Sequence, residues 1–158
     1  MSLLEREDKD AEAYNNLGVT LCELGRLGEA LSSYTQAISL KPNYTEPLVN
    51  LGIAIKNMRF KSSNSNLYPP LTHLLSAGNF VRPRDVAESI LSLLKQDDQI
   101  KDLLIKNNSN MSLDEVTSTI EGLHKFPLLH HLMRLCPLPD LQFEKLFVVM
   151  RSLILKNL

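Results

Sequence analysis

The sequence predicts an all-α protein: a short helix-turn-helix solenoid followed by a helical, bundle-like extension. Three observations carry that prediction. The stretch "AYNNLG", residues 13–18, returns 34 positions later as "PLVNLG", residues 47–52, and a period of this size marks a repeat built from helices. Apolar residues recur at helical spacing in the segments that follow Leu67. No run pairs a strand-like alternation with hairpin turn chemistry, so a doubly wound sheet or a barrel is excluded.

The first unit, "AEAYNNLGVTLCELGRLGEALSSYTQAISLKPNY", spans residues 11–44. Tyr14, Leu17 and Leu21 fall on one face of a first helix. Gly18 and Ala30 are small, which lets two antiparallel helices approach closely. Gly25 can take the positive φ that ends the first helix. The second helix carries Tyr34 and Ala37, and Pro42 stops it before "KPNY" turns the chain onward. This set of large, small and breaker residues at fixed offsets resembles the tetratricopeptide repeat (TPR), a helical hairpin of 34 residues.

A second unit opens at Thr45, where Leu48, Leu51, Gly52 and Ile55 fill the same four offsets. Its partner helix is not written in the same pattern, because "RFKSSNSNLYPP" is polar and rich in breakers. Ahead of the first unit, "LLEREDKD" reads as the last turn of a preceding repeat, with Leu3 and Leu4 at its apolar positions. Such repeats contact only their neighbours, and about three are usually needed for independent stability. One and a half repeats therefore need cover, and the C-terminal part is expected to give it. The expected organisation is a TPR segment over residues 1–58 (a full repeat at 11–44, the first helix of another at 45–58), a linker at 59–67 and an α-helical extension at 68–158.

Within the extension, "YPPLTHLLSAG" starts on prolines, carries Leu71, Leu74 and Leu75, and stops at Gly78. "RPRDVAESILSLLKQ" has Asp85 in its first turn and a stripe of Val86, Ile90, Leu93 and Leu94. A short helix is expected around "QIKDLLIK". Ser112 and Glu115 form a capping box ahead of Leu113, Val116, Ile120 and Leu123. "PLLHHLMRLC" lies between Pro127 and Pro137. The last helix is expected from about Asp140 to Asn157, with a core stripe of Phe143, Leu146, Phe147, Met150, Leu153 and Ile154. Leu141, Val148, Val149 and Leu155 fall outside that stripe, so this helix wants cover on more than one side.

The stretches "KNMRFKSSNSNLYPPLTHLLSAGNFVRPRDVAESILSLLK" and "HKFPLLHHLMRLCPLPDLQFEKLFVVMRSLILKNL" look like the helical region after the repeats in bacterial TPR–methyltransferase fusions. That resemblance implies a SAM-dependent methyltransferase domain later in the parent chain. The glycine-rich cofactor loop of such a domain is absent here, so the resemblance implies a fragment or a truncated member.

Signals for chemistry are few. Charges nearly balance, with a formal net charge of −1 and no basic block, which argues against nucleic acid as a partner. No apolar run approaches the ~20 residues of a membrane span, and the acidic N-terminus lacks a secretory h-region, so a cytoplasmic setting is expected. Cys22 and Cys136 stand in apolar helical patterns without metal-ligand spacing and read as reduced thiols. His130 and His131 diverge by about 100° on a helix, His124 belongs to another element, and no carboxylate completes a metal site. Arg82 and Arg84 read as a solvated helix entry, and Asp97 and Asp98 as a helix boundary. With no nucleophile elbow, P-loop or dinucleotide fingerprint, no catalytic residue, cofactor or metal is expected.

The inner groove of the repeats remains. Its expected lining is Glu12, Asn15, Asn16, Val19 and Glu23 from the first unit, then Glu46, Val49, Asn50, Ile53 and Asn57 from the second. Asn16 and Asn50 share an offset, and an amide can bridge to the backbone of an extended peptide. The TPR arrays of O-linked N-acetylglucosamine transferases show a similar ladder of asparagines, a resemblance that implies peptide-backbone capture. The competing role for both is packing within or between helices. The basic carboxylate clamp of chaperone-binding TPRs is missing, since Asn15 and Val49 stand where a cation would help. The expected function is a non-enzymatic protein–protein interaction module that binds an extended peptide or its own downstream domain. The alternatives are the N-terminal part of a methyltransferase fusion and an adaptor that homo-oligomerises through its C-terminal helix.

Overall fold

The computed structural model describes residues 3–78, 81–106, 118, 121–122, 125–136, 140–146 and 148. Among them every regular element is helical. The elements are α1 (Leu3–Glu23), α2 (Leu27–Leu40), α3 (Thr45–Ile55), α4 (Tyr68–Ala77), α5 (Pro83–Leu94), α6 (Asp98–Lys106), α7 (Pro127–Leu135) and α8 (residues 141–146). A single 3-10 turn, Ser65–Leu67, leads into α4. No described helix is long and apolar enough to cross a membrane. The chain divides into two compact units: residues 1–58 with 65–82, and residues 59–64 with 83–158.

In the first unit α1 and α2 form the expected hairpin. Gly25, at φ 73°, closes α1 in a left-handed turn. Its N–H donates to the Cys22 carbonyl at 3.0 Å, and the Arg26 N–H reaches back to the Leu21 carbonyl at 2.8 Å. That pair of bonds satisfies two of the carbonyls that every helix end leaves open, in the Schellman arrangement. Gly18 is where the two helices meet. A Cβ there would sit 2.5 Å from the Tyr34 ring, so only glycine admits this approach. Ala30 and Ala37 are fully buried in the same seam. The serines and threonine of α2 do not oppose burial, because Ser33 and Thr35 donate to the Glu29 and Leu31 carbonyls at 3.1 and 2.8 Å.

Two expectations are corrected here. "LLEREDKD" is not the end of another element: it continues α1 upward, so the helix runs from Leu3 without a break. Asp8 on this extension pairs with Lys41, at the far end of α2, at 3.0 Å. Secondly, α3 does have a partner. α4 packs on it although its register is not that of α2. Gly18 faces Tyr34, but Tyr68, 34 residues further on, is not what approaches Gly52. Its nearest neighbours are Val81 and Leu74, which a Cβ would meet at 2.5 and 3.1 Å.

The cause of the shift is local. α3 stops at Ile55, and Asn57 takes a left-handed φ of 67°, which asparagine tolerates better than most residues. The left-handed turn therefore comes two residues before residue 59, the offset of Gly25, and the partner helix restarts only at the proline pair of α4. Pro69 and Pro70 occupy its first turn, where the missing N–H costs nothing, and Gly78 closes it at φ 69°. Contacts divide after residues 58, 64 and 82, so residues 65–82 join the first unit.

The second unit is organised around α5, whose Val86, Ala87, Ile90, Leu91, Leu93 and Leu94 are buried. α7 packs against it and buries Leu128, Leu129 and Leu132. Residues 59–64 are tied on by the Arg59–Glu88 ion pair and by the Phe60 N–H, which donates to Ser92 Oγ at 3.0 Å. Phe143 and Leu146 of α8 are buried as the stripe predicts. Asp140 caps that helix, its Oδ1 accepting from the Gln142 and Phe143 N–H groups at 3.1 and 3.3 Å. Its other oxygen holds Lys95, at the end of α5, at 2.5 Å. The capping box at Ser112 and Glu115, its apolar stripe, His124, and the last helix beyond residue 148 lie outside the described residues.

Candidate functional site

Of the expected groove residues, Asn15 is the one that the structure removes from solvent. It is completely buried, not an exposed groove position. Its side-chain oxygen accepts from the Asn50 amide at 3.0 Å, and its own amide donates to Glu46 Oε1 at 3.3 Å and to the Tyr44 hydroxyl at 3.4 Å. Tyr44 donates in turn to the second Glu46 oxygen at 3.2 Å. α1, the turn before α3, and α3 itself are therefore joined by one polar network. A buried amide without partners would cost stability, so the network explains how Asn15 is tolerated at this seam.

The asparagine pair at the shared offset is not symmetric. Asn16 is exposed and engages the structure through its backbone carbonyl, which accepts from Thr20 Oγ1 at 3.0 Å. Asn50 is half-buried and spends its amide on Asn15. Packing is thus one role of Asn50, while Asn16 is open.

The remaining positions do lie at the surface. Val19 is 37% exposed, and Ile53, 34 residues later, is 64% exposed. Glu23 and Asn57 are exposed and Val49 is half-buried. Asn57 has a backbone role that spacing does not reveal, since its left-handed conformation ends α3. Carboxylates concentrate nearby: burial, then the charges of Glu46 and Glu12, push the Tyr44 hydroxyl above its ordinary pKa. The face is apolar at Val19 and Ile53, polar at the asparagines and negative at Glu12, Glu23 and Glu46.

Elsewhere the chemistry is sparse. Among the described residues no three histidines, cysteines or carboxylates gather as metal ligands. Cys22 and Cys136 are unpaired thiols. Burial pushes Cys136 up from its ordinary pKa, against a smaller opposing effect of Arg84, which is the reverse of nucleophile activation. Cys22 Sγ accepts from the Tyr34 hydroxyl at 3.6 Å. His130 and His131 are half-buried on α7, and Arg82 and Arg84 are exposed.

No curated protein and no solved structure matches the chain, and nothing in these comparisons extends the likeness to methyltransferase fusions. The sequence model of the tetratricopeptide repeat family matches residues 11–44, the α1–α2 hairpin and its closing turn, in agreement with an all-α, TPR-like fold.

Proposed function

We propose that the protein is a non-enzymatic interaction module whose α1–α3 face captures an extended peptide. The observation that carries this reading is the exposure of Val19 and Ile53 at one repeat offset on neighbouring helices. They stand beside an open amide at Asn16 and a half-open one at Asn50. The Asn15–Asn50 bond fixes the spacing of the two helices, so the face is preorganised and little ordering entropy is lost on binding. Apolar side chains of the peptide would rest on Val19 and Ile53, and the amides would bond to its backbone.

The test is a peptide array probed with the labelled chain. Captured peptides should share an apolar spacing, and Val19→Lys with Ile53→Lys should abolish capture without changing helicity. Capture that survives both changes would overturn the reading.

A second reading, self-association through α8, is favoured by Leu141 and Val148. They are seven residues apart in sequence, a helical spacing, and both are exposed. Light scattering at high concentration tests it, and a monomer throughout would exclude it.

A further inference from the structure

The α1–α3 face carries a charge pattern as well as an apolar one. Glu12 of α1 and Glu46 of α3 share one repeat offset, as Val19 and Ile53 share another. Glu12, Glu23 and Glu46 are all exposed. Among the described residues none of the three forms an ion pair with a lysine or arginine. The cations nearest to them in sequence are committed. Lys41 holds Asp8, Arg26 holds Glu29, and Lys9 and Lys56 have interactions of their own.

The carboxylates of the shared offset are also neighbours in space. Both raise the Tyr44 hydroxyl above its ordinary pKa, so their fields overlap at that group. Glu46 is held in place, because its oxygens accept from the Asn15 amide at 3.3 Å and from the Tyr44 hydroxyl at 3.2 Å. Like charges kept side by side repel, and a cation brought to that spot gains from both. Seven residues separate Glu12 from Val19, and Glu46 from Ile53. At the helical rise that places the carboxylate pair about 10 Å from the apolar pair. Glu23 lies on the other side of Val19, one turn further along α1.

We infer that the ligand of this face is a basic peptide, with apolar side chains on Val19 and Ile53 and a lysine or arginine at Glu12 and Glu46. An extended chain covers the distance between the two pairs in about three residues. A second basic residue beyond the apolar ones meets Glu23. The inference rests on the peptide-capture reading above and adds to it a selectivity by charge: a glutamate in place of the basic residue is repelled.

The probe is a spotted library of short synthetic peptides, each with two leucines, made in three versions. The versions carry lysine, glutamine or glutamate at the flanking positions and are otherwise identical. Probed with the full labelled chain, the lysine version should be captured best and the glutamate version least, and rising salt should shrink the difference. In solution, Glu12→Gln and Glu23→Gln should each weaken the best lysine peptide by about two- to fivefold, the range for exposed ion pairs. Neither should alter binding of the glutamine version. Both positions are exposed and outside the Asn15 network, and circular dichroism verifies that helicity is kept. Asp10→Asn should change nothing, since Asp10 lies about 200° around α1 from Glu12 and lines the groove toward α2. Equal capture of all three versions would overturn this inference and leave peptide capture standing. So would a preference for glutamate, or a loss in Asp10→Asn equal to that in Glu12→Gln. Capture of none of the versions would overturn the capture reading itself, and this inference with it.

Discussion

Replacing Asn15 by alanine tests whether the buried amide holds the two first helices together. The change deletes the acceptor for Asn50 at 3.0 Å and the donor to Glu46 and Tyr44 at 3.3 and 3.4 Å. The first bond has good geometry and is worth about 1 kcal/mol, while the two longer ones together add about the same. Asn50 and Glu46 are not fully buried, so both can turn to water, and no full desolvation penalty is left behind. The expected loss is about 2 kcal/mol. With a urea dependence of about 2 kcal/mol/M, the midpoint should fall by about 1 M. Asn50→Ala alone should cost about 1 kcal/mol, and the pair should show a coupling of about 1 kcal/mol in a double-mutant cycle. Asn16→Ala, at an exposed position, should stay within about 0.5 kcal/mol of the wild type. Urea unfolding followed by circular dichroism reads all four. The reasoning fails if Asn15→Ala costs less than Asn16→Ala, or if Asn50→Ala costs as much without Asn15 as with it.

Gly18→Ala should destabilise by about 1–3 kcal/mol, because its Cβ meets the buried Tyr34 ring at 2.5 Å. Gly28→Ala meets nothing within 4 Å and should stabilise by about 0.5 kcal/mol, so the two glycines give opposite signs in the same denaturation assay. Asp140→Ala removes the cap of α8 and should cost about 1–2 kcal/mol, measurable as lost protection from hydrogen exchange at Phe143 and Leu146. Alkali should also weaken the fold. Burial raises the Tyr34 hydroxyl, with the Cys22 bond adding to it, and Tyr44 is raised by burial and by Glu46. Since the folded pKa values exceed the unfolded one of about 10, stability is full below that pH and is lost above it, as the unfolded chain releases protons more readily. Tyr34→Phe should make that loss shallower in urea midpoints taken across an alkaline series.

The hairpin was legible because each of its signals acts within one or two turns. Gly25 needs only its own φ, and Gly18 and Ala30 need only each other's helix. The α5 stripe was read correctly for the same reason, since Val86, Ile90, Leu93 and Leu94 share one face of a single element. Asn15 was misplaced because a helical wheel orders residues around one axis and does not show where the next first helix lies. One step of about 100° separates an open position from a seam, and Asn15 and Asn16 differ by that step. Tyr14 and Leu17 share the face that the spacing gives them, yet both stay exposed where Leu21 is buried. Their pattern encodes a contact with a neighbouring unit, and a pattern persists whether or not the neighbour is there. α4 was read as a separate helix because the polar stretch after Ile55 hid the return of the chain onto α3. The left-handed turn at Asn57 displaced the register that a search at offset 34 relies on.

The division of the chain into two units has an optical consequence. The sequence has no tryptophan, and its four tyrosines, Tyr14, Tyr34, Tyr44 and Tyr68, all belong to the first unit. Tyrosine emission and near-ultraviolet dichroism in the tyrosine band therefore watch that unit, while far-ultraviolet dichroism sums the helices of both. A denaturation curve recorded in both bands separates the two units without any label or engineered probe. Coincident transitions would show them melting as one cooperative body, and displaced ones would measure how far their stabilities differ.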